Sequence, residues 1–199
     1  MRKEFLIAVI TSPVSWDGEA GCLEELLQAG VEKLHIRKQG EAREELLRRL
    51  APHWSDRLVL HGGKEAIAMA MRYGIPQVHG HWATPWFDKP APVGLSASTH
   101  SWEEVSGIAP GSLEYVFLSP LFDSISKPGY VAGAGLLKRP EGVRPCRLVG
   151  LGGIDQHTIG QVMDHGWDGA AVLGYIWEKP EMALERFKKL KAMVEEYER

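Results

Sequence analysis

A glycine pair near residue 150 has the character of an anion-binding turn. Gly152 and Gly153 end an apolar run at 147–151, and Gly174 follows a second run at 170–173. Adjacent glycines let backbone N–H groups approach an anion closely, and the helical pattern at 158–165 adds a positive helix end. A tight turn without a ligand is the alternative, since glycine pairs are common in turns. We predict a phosphate-binding turn.

Basic residues follow two other apolar runs. His35 and Arg37 share one face of the run at 33–37, and the guanidinium of Arg37 suits two phosphate oxygens if it points to the ligand. A surface ion pair is the alternative for this arginine. The loop at 118–129 is rich in hydroxyl groups and carries Lys127. We predict that this loop closes over a phosphorylated substrate.

Histidines are unusually frequent near the predicted strand ends. Five of the eight lie there, namely His35, His61, His79, His81 and His100. Proton transfer is one hypothesis, and His100 is its candidate because imidazole titrates near neutrality. Zinc binding by His79 and His81 is another, but spacing indicates no third ligand. The remaining interpretation is a structural or substrate-facing hydrogen-bonding role, which we predict for His61.

The elements that must position these residues alternate regularly. Eight short apolar runs lie at residues 5–10, 33–37, 57–61, 77–79, 93–96, 115–118, 147–151 and 170–173. Helix-like segments separate them, which is typical of a parallel sheet with helices on its outside. We therefore predict an α/β protein with one (β/α)8 TIM barrel domain over residues 1–199. Ligands of this fold bind at the carboxyl ends of the strands, and phosphate commonly binds after strands seven and eight.

One irregular segment interrupts this alternation at residues 82–93, between the predicted fourth and fifth strands. It contains Trp82, Trp86 and Phe87, whose rings can stack on a heterocyclic ligand or pack in the core.

The amino-acid composition indicates which kinds of partner and compartment to expect for this protein. The formal net charge is −3 and the isoelectric point is near 6.2, so we expect no nucleic-acid partner. No apolar stretch approaches the ~20 residues of a membrane span, and the first residues resemble a strand more than a signal peptide. Cys22 and Cys146 lie far apart without a metal-binding spacing. A reduced cytoplasmic protein is expected, with a homodimer as the commonest assembly.

Four segments give the chain a family resemblance over nearly its whole length. They are residues 35–37, 98–104, 114–117 running into 122–127, and 149–154, each at a predicted strand end. In this order they resemble the thiamine phosphate synthase/TenI superfamily. The resemblance implies coupling of a hydroxymethylpyrimidine diphosphate with a thiazole phosphate, and these phosphorylated molecules are the expected partners.

Site roles follow from the resemblance. Arg37 and Lys127 correspond to the residues that hold the diphosphate, and Ser98 corresponds to the family's serine after strand five. Gly152 and Gly153 correspond to the turn that holds the thiazole phosphate. These roles are chemically consistent, because catalysis of such an ionisation consists largely of stabilising the departing charge.

The chain departs from the family pattern at the two positions that bind magnesium in the synthases. The synthases carry an Asn-Asp pair after strand three, where this chain has His61-Gly62, and a carboxylate after strand four, where Thr84 is nearest. Mg²⁺ is therefore a cofactor whose two usual carboxylate ligands are both absent. Their loss costs several kcal/mol of leaving-group stabilisation unless Asp123 or the substrate compensates.

A basic residue of the synthases is also replaced. It lies two positions after the arginine, where this chain has Gln39, and Lys38 is the expected substitute among the substrate-binding residues.

The TenI branch, which tautomerises a thiazole carboxylate phosphate, needs no metal and accommodates glycine at position 62. Its acid/base imidazole after strand six is absent here, where Ser119-Pro120 stand, so His100 is the nearest substitute. We thus predict a synthase-like transferase, with a metal-independent isomerase as the first alternative. A non-catalytic barrel that binds thiazole or thiamine phosphate is the second.

Overall fold

The sheet is a closed barrel of eight parallel strands. The computed structural model of the chain describes residues 4–82, 92–123 and 135–199. Each strand is hydrogen-bonded to the next in chain order, and β8 pairs with β1. The strands are β1 (Leu6–Ile10), β2 (Lys33–Ile36), β3 (Leu58–His61), β4 (Gln77–His81), β5 (Gly94–Thr99), β6 (Tyr115–Leu118), β7 (Arg147–Leu151) and β8 (Gly169–Val172). The predicted TIM barrel is confirmed.

Helices cover the outside of the barrel. Within the described ranges they are α1 (Glu19–Gln28), α2 (Gly40–Trp54), α3 (Lys64–Tyr73), α4 (Trp102–Ser106), α5 (Ile159–Asp164), α6 (Gly174–Trp177) and α7 (Ala183–Tyr197). The last helix follows a 3-10 turn at Pro180–Met182 and buries Phe187, Leu190 and Val194. This spacing of three or four residues is the apolar stripe of an amphipathic helix. No helix in the described part of the chain has the length and apolar character of a membrane span.

Two hydrophobic clusters form the core. The larger lies between strands and helices, where alternate strand residues such as Leu34, Ile36 and Leu60 are fully buried. Burying a side chain of this size contributes about 1.5–3 kcal/mol, so this layer supplies most of the apolar stabilisation. The smaller cluster fills part of the barrel interior with Leu6, Ala8, Ile10, Tyr115, Phe117, Val149 and Ala171. It covers only one side of the interior, and polar side chains fill the other.

Candidate active site at the carboxyl ends of the strands

The glycine turn after β7 is packed against the segment that follows β6. Gly152 and Gly153 have φ angles of 98° and 63°, in the left-handed region that favours glycine. A Cβ atom on Gly153 would lie 2.5 Å from the carbonyl oxygen of Asp123 and 2.7 Å from Cβ of Phe122. The Phe122 N–H also donates to the Gly152 carbonyl at 3.1 Å. Both conformation and packing therefore require glycine here.

Backbone donors remain at this turn. Within residues 4–82, 92–123 and 135–199, the N–H groups of Gly153 and Ile154 have no hydrogen-bond acceptor. Helix α5 begins only at Ile159, several residues after the turn. The donors for an anion are therefore the N–H groups of the turn, and not those of the helix end. Gly174 is the first residue of α6 and follows the neighbouring strand β8. The geometry is compatible with the predicted phosphate site.

The two basic residues after β2 have different environments. Arg37 is exposed, and its backbone N–H donates to the Thr11 hydroxyl at 2.9 Å. Lys38 is buried, with Nζ 2.8 Å from a carboxylate oxygen of Glu19 on α1 and 3.2 Å from the Ser15 hydroxyl. The ammonium of Lys38 is thus engaged in an internal ion pair instead of facing the ligand as we expected, because α1 places a carboxylate beside it. Arg37 alone is available to an anion at this strand end.

Three histidines on adjacent strands form what we call the imidazole cluster: His35, His61 and His79. His35 Nδ1 lies 2.9 Å from His61 Nε2, and the rings of His61 and His79 stack with centroids 4.5 Å apart. His61 pairs directly with His79 in the register of β3 and β4. His35 and His79 are fully buried, whereas His61 is half-buried at the outer end. The cluster extends from the barrel interior to its open end.

Hydroxyl groups surround the cluster. Tyr115 Oη lies 2.8 Å from His35 Nε2, and the Ser96 hydroxyl lies 2.9 Å from His79 Nδ1. The Ser98 hydroxyl lies 2.8 Å from His79 Nε2. The Phe117 ring packs on the buried imidazoles, with its centroid 4.7 Å from that of His35. Four ring nitrogens therefore have fixed partners, which sets the orientation of the two buried rings.

All three imidazoles are held neutral. Burial, followed by the neighbouring imidazoles, lowers the pKa of His35 well below its ordinary value, and burial likewise lowers the pKa of His79. Burial, with Arg37 and Arg43 as further causes, lowers the pKa of His61 to about 3. Neutral imidazole has one lone pair for a proton, a hydrogen bond or a metal ion.

His100 lies at the mouth after β5. Its Nδ1 is 3.1 Å from the Ser119 carbonyl oxygen, and its ring centroid is 5.9 Å from that of His81. A carbonyl only accepts hydrogen bonds, so Nδ1 carries the hydrogen and Nε2 is the basic nitrogen. The side chain is exposed, which leaves it accessible to a substrate. The predicted role in proton transfer is geometrically feasible.

The described residues do not fit the family's magnesium ligands. β3 ends at His61 and is followed by two glycines, and β4 ends at His81 and is followed by Trp82. Magnesium prefers oxygen ligands with near-octahedral geometry, whereas these strand ends offer imidazole nitrogens. Lys127, Thr84, Trp86 and Phe87 lie outside the described residues.

Sequence reasoning missed the imidazole cluster. It grouped His79 with His81 as the zinc pair, but His79 lies deep among the other two imidazoles while His81 lies beside His100. The signal was present, since each of the three histidines ends or nearly ends one of three consecutive predicted strands. Only the arrangement of the strands in the barrel brings these three side chains together.

Sequence comparison places these features in a family context. The family model described as thiamine monophosphate synthase matches residues 7–176. The thiamine-phosphate synthase of Anoxybacillus flavithermus is 34% identical over 105 residues, covering 50% of this chain and 47% of that protein. The synthase of Koribacter versatilis is 28% identical over 183 residues, covering 82% of each chain. The chain thus spans less than half of the first relative and most of the second.

The fold comparison agrees. Thiamine phosphate pyrophosphorylase from Bacteroides thetaiotaomicron superposes with a TM-score of 0.76 at 24% identity, over 96% of this chain and 98% of that one. The pyrophosphorylase from Pyrococcus furiosus gives 0.73 at 22% identity over 98% of each chain. 3-Hexulose-6-phosphate synthase, at 17% identity, still gives 0.68, over 94% of this chain and 99% of that one. At these identities the likeness establishes the barrel fold.

Proposed function

The chain belongs to the thiamine monophosphate synthase family, and from this premise we propose that it couples a hydroxymethylpyrimidine diphosphate with a thiazole phosphate in thiamine biosynthesis. The observation that carries the proposal is the glycine turn after β7, which lies at the carboxyl ends of the strands. Gly153 and Ile154 supply N–H groups without internal acceptors in the described structure. A phosphate monoester is the ligand for which such a turn is suited.

Substrate binding divides between two sides of the mouth. The turn at Gly152–Gly153, with Gly174 after the next strand, holds the thiazole phosphate. Arg37 after β2 and Lys127 in the loop after β6 hold the diphosphate. Ser98 contacts the substrate through its hydroxyl oxygen at the end of β5. The buried ion pair of Lys38 with Glu19 supports leaving this lysine out of the binding set.

The reaction exchanges one bond for another. The bond between the pyrimidine methylene carbon and the diphosphate oxygen breaks, and both electrons leave with the diphosphate. The lone pair of the thiazole nitrogen then forms the new carbon–nitrogen bond. Arg37 stabilises the departing charge, since its guanidinium is always protonated and matches two phosphate oxygens. We derive no step through magnesium, because the described strand ends lack its ligands.

Turnover measurement tests this proposal. Purified protein is incubated with both substrates, and released diphosphate is measured in parallel with thiamine phosphate. We expect equal amounts of the two products, and Arg37→Ala is expected to lower kcat/KM by about 100-fold, as loss of one charge-stabilising donor does. Tight binding of the thiazole phosphate without any product formation would overturn the synthase assignment.

A second candidate function rests on His100. Its Nδ1 donates to the Ser119 carbonyl, which leaves Nε2 as a base at the mouth and supports a metal-independent thiazole tautomerase. Isomerisation of a thiazole carboxylate phosphate is followed by its change in ultraviolet absorption. For a tautomerase, His100→Ala strongly lowers this activity, and the residual activity has a flattened pH profile. A synthase retains coupling in the same variant.

A further inference from the structure

The imidazole cluster has the composition of a metal site. One ring nitrogen from each of His35, His61 and His79 lies within 4.8 Å of the other two. The three residues come from adjacent strands, so the barrel hydrogen bonds fix their backbones. None of them has a role in the proposed coupling reaction. Their proximity therefore needs an explanation of its own.

We propose that the imidazole cluster binds one zinc ion, with the three histidines as protein ligands and the fourth position open to the mouth. In tetrahedral zinc sites the Zn–N bonds are about 2.0–2.1 Å, which places the ligand nitrogens about 3.4 Å apart. Nitrogens no more than 4.8 Å apart reach this spacing by small rotations of the rings. Three histidines with one open position is the arrangement of catalytic zinc sites.

The surroundings supply the outer hydrogen bonds of such a site. Metal-ligating histidines donate their second ring N–H to an oxygen acceptor, commonly a carboxylate, a backbone carbonyl or water, which fixes the ring orientation. Tyr115 Oη and the Ser96 hydroxyl occupy these places beside His35 Nε2 and His79 Nδ1. The remaining nitrogens, His35 Nδ1 and His79 Nε2, face inward to His61 and Ser98. Two of the three ligands are therefore already oriented for a metal ion.

The positive charge near the cluster determines which kind of ligand suits the fourth coordination position. Arg37 and Arg43 lie close enough to His61 to lower its pKa, so a divalent ion here adds to existing positive charge. An anion at the fourth position offsets this repulsion, and a phosphate oxygen or hydroxide is suited to it. The nitrogen donors select zinc and similar transition-metal ions over magnesium.

Metal binding is measured without turnover, so this proposal and the synthase assignment fail independently. The full-length protein is stripped with a chelator, exchanged into chelator-free buffer, and titrated with Co²⁺ and then Zn²⁺. We expect one equivalent of Co²⁺ with the visible absorption of tetrahedral coordination, displaced by Zn²⁺ but not by excess Mg²⁺. Absence of saturable binding overturns the proposal and leaves the cluster as a hydrogen-bond network.

Variants locate the ion. His61→Asn replaces the half-buried ligand and is expected to weaken Zn²⁺ binding by more than about 100-fold. Tyr115→Phe removes only the hydroxyl beside His35 and is expected to weaken it by about 10-fold, as outer hydrogen bonds do. His81→Asn, on the same strand as His79, is the matched control and retains full binding. Loss of binding in His81→Asn with retention in His61→Asn would place the metal elsewhere and overturn the assignment. Circular dichroism confirms that each variant is folded.

Discussion

The two sides of the barrel interior differ in chemistry. Between β2 and β5 most of the inward side chains are polar, with Val59 as an exception, and they include the imidazole cluster, Ser96 and Ser98. On β1, β7 and β8 the buried inward side chains are apolar, with Leu6, Ala8, Val149 and Ala171 among them. Functional groups on the first side are side chains, whereas on the second side they are backbone N–H groups of the glycine turn.

This difference has an energetic reason. Burying a polar side chain costs free energy unless it is hydrogen-bonded, and on the polar side the imidazoles, Tyr115 and the two serines form a connected network. The apolar side needs no such network and can present its backbone at a tight turn. Substitutions on the polar side should therefore act through protonation and ligation, and those on the apolar side through packing and backbone conformation.

The largest expected effect is a loss of protein stability in acid, caused by the histidines of the polar side in the metal-free protein. The imidazole cluster is neutral when folded, and the pKa of His61 falls from 6.5 to about 3. Below pH 6.5 the unfolded chain binds more protons, so the free energy of unfolding falls as the pH drops toward 3. His61 contributes about 1.4 kcal/mol per pH unit over this window, and the lowered pKa values of His35 and His79 act in the same direction.

Urea unfolding at several pH values in the presence of a chelator measures this slope. His61→Asn should remove one imidazole's share of it, whereas exposed His157→Asn should leave it unchanged. Equal slopes in the wild type and His61→Asn would contradict the neutral state of His61 in the folded protein.

A backbone substitution tests the apolar side. Gly153→Ala places a Cβ 2.5 Å from the Asp123 carbonyl at a φ of 63°, and about 2–3 kcal/mol of stability should be lost. Calorimetry should also show at least about 10-fold weaker thiazole phosphate binding, equivalent to 1.4 kcal/mol. Gly160→Ala is the control. Gly160 lies in α5, and a Cβ atom added there has no neighbouring atom within 4 Å. Unchanged phosphate affinity in Gly153→Ala would remove the turn from the binding site.

Adding a hydroxyl group on one side and removing one on the other compares how the two sides depend on hydrogen bonding. Val149→Thr places a hydroxyl on the apolar side and should cost about 1–3 kcal/mol, because its cluster is apolar except for the Tyr115 hydroxyl, which already pairs with His35. Ser96→Ala removes the partner of His79 Nδ1 on the polar side and should cost a similar amount. Thermal unfolding measures both. A neutral Val149→Thr would show that the apolar side is hydrated.

The smallest expected effect on stability is at the exposed Arg37. Arg37→Lys keeps the charge and loses the planar fork, so pyrophosphate binding should weaken by about 10-fold while the unfolding free energy stays within about 0.5 kcal/mol. Titration calorimetry and urea unfolding provide the two readings. An unchanged pyrophosphate affinity would show that the guanidinium does not contact the anion.

Much of the fold was predictable from local pattern. All eight predicted strands are present, and β6 and β7 have the predicted bounds, because continuous apolar runs mark strands buried on both faces. The glycine turn was also predictable, since its left-handed conformation is a property of the two residues themselves. The internal ion pair of Lys38 was not predictable, because its partner Glu19 lies on a separate helix whose position depends on packing.

The sequence by itself determined the barrel, the turn after β7 and the exposed Arg37 at the end of β2. Those features depend on residue type and on neighbours a few positions away. Only the tertiary structure decided that His35, His61 and His79 form one cluster while His81 joins His100. The physical reason is the parallel register: it aligns His61 with His79 across a gap of 18 residues, and no period along one strand encodes that alignment.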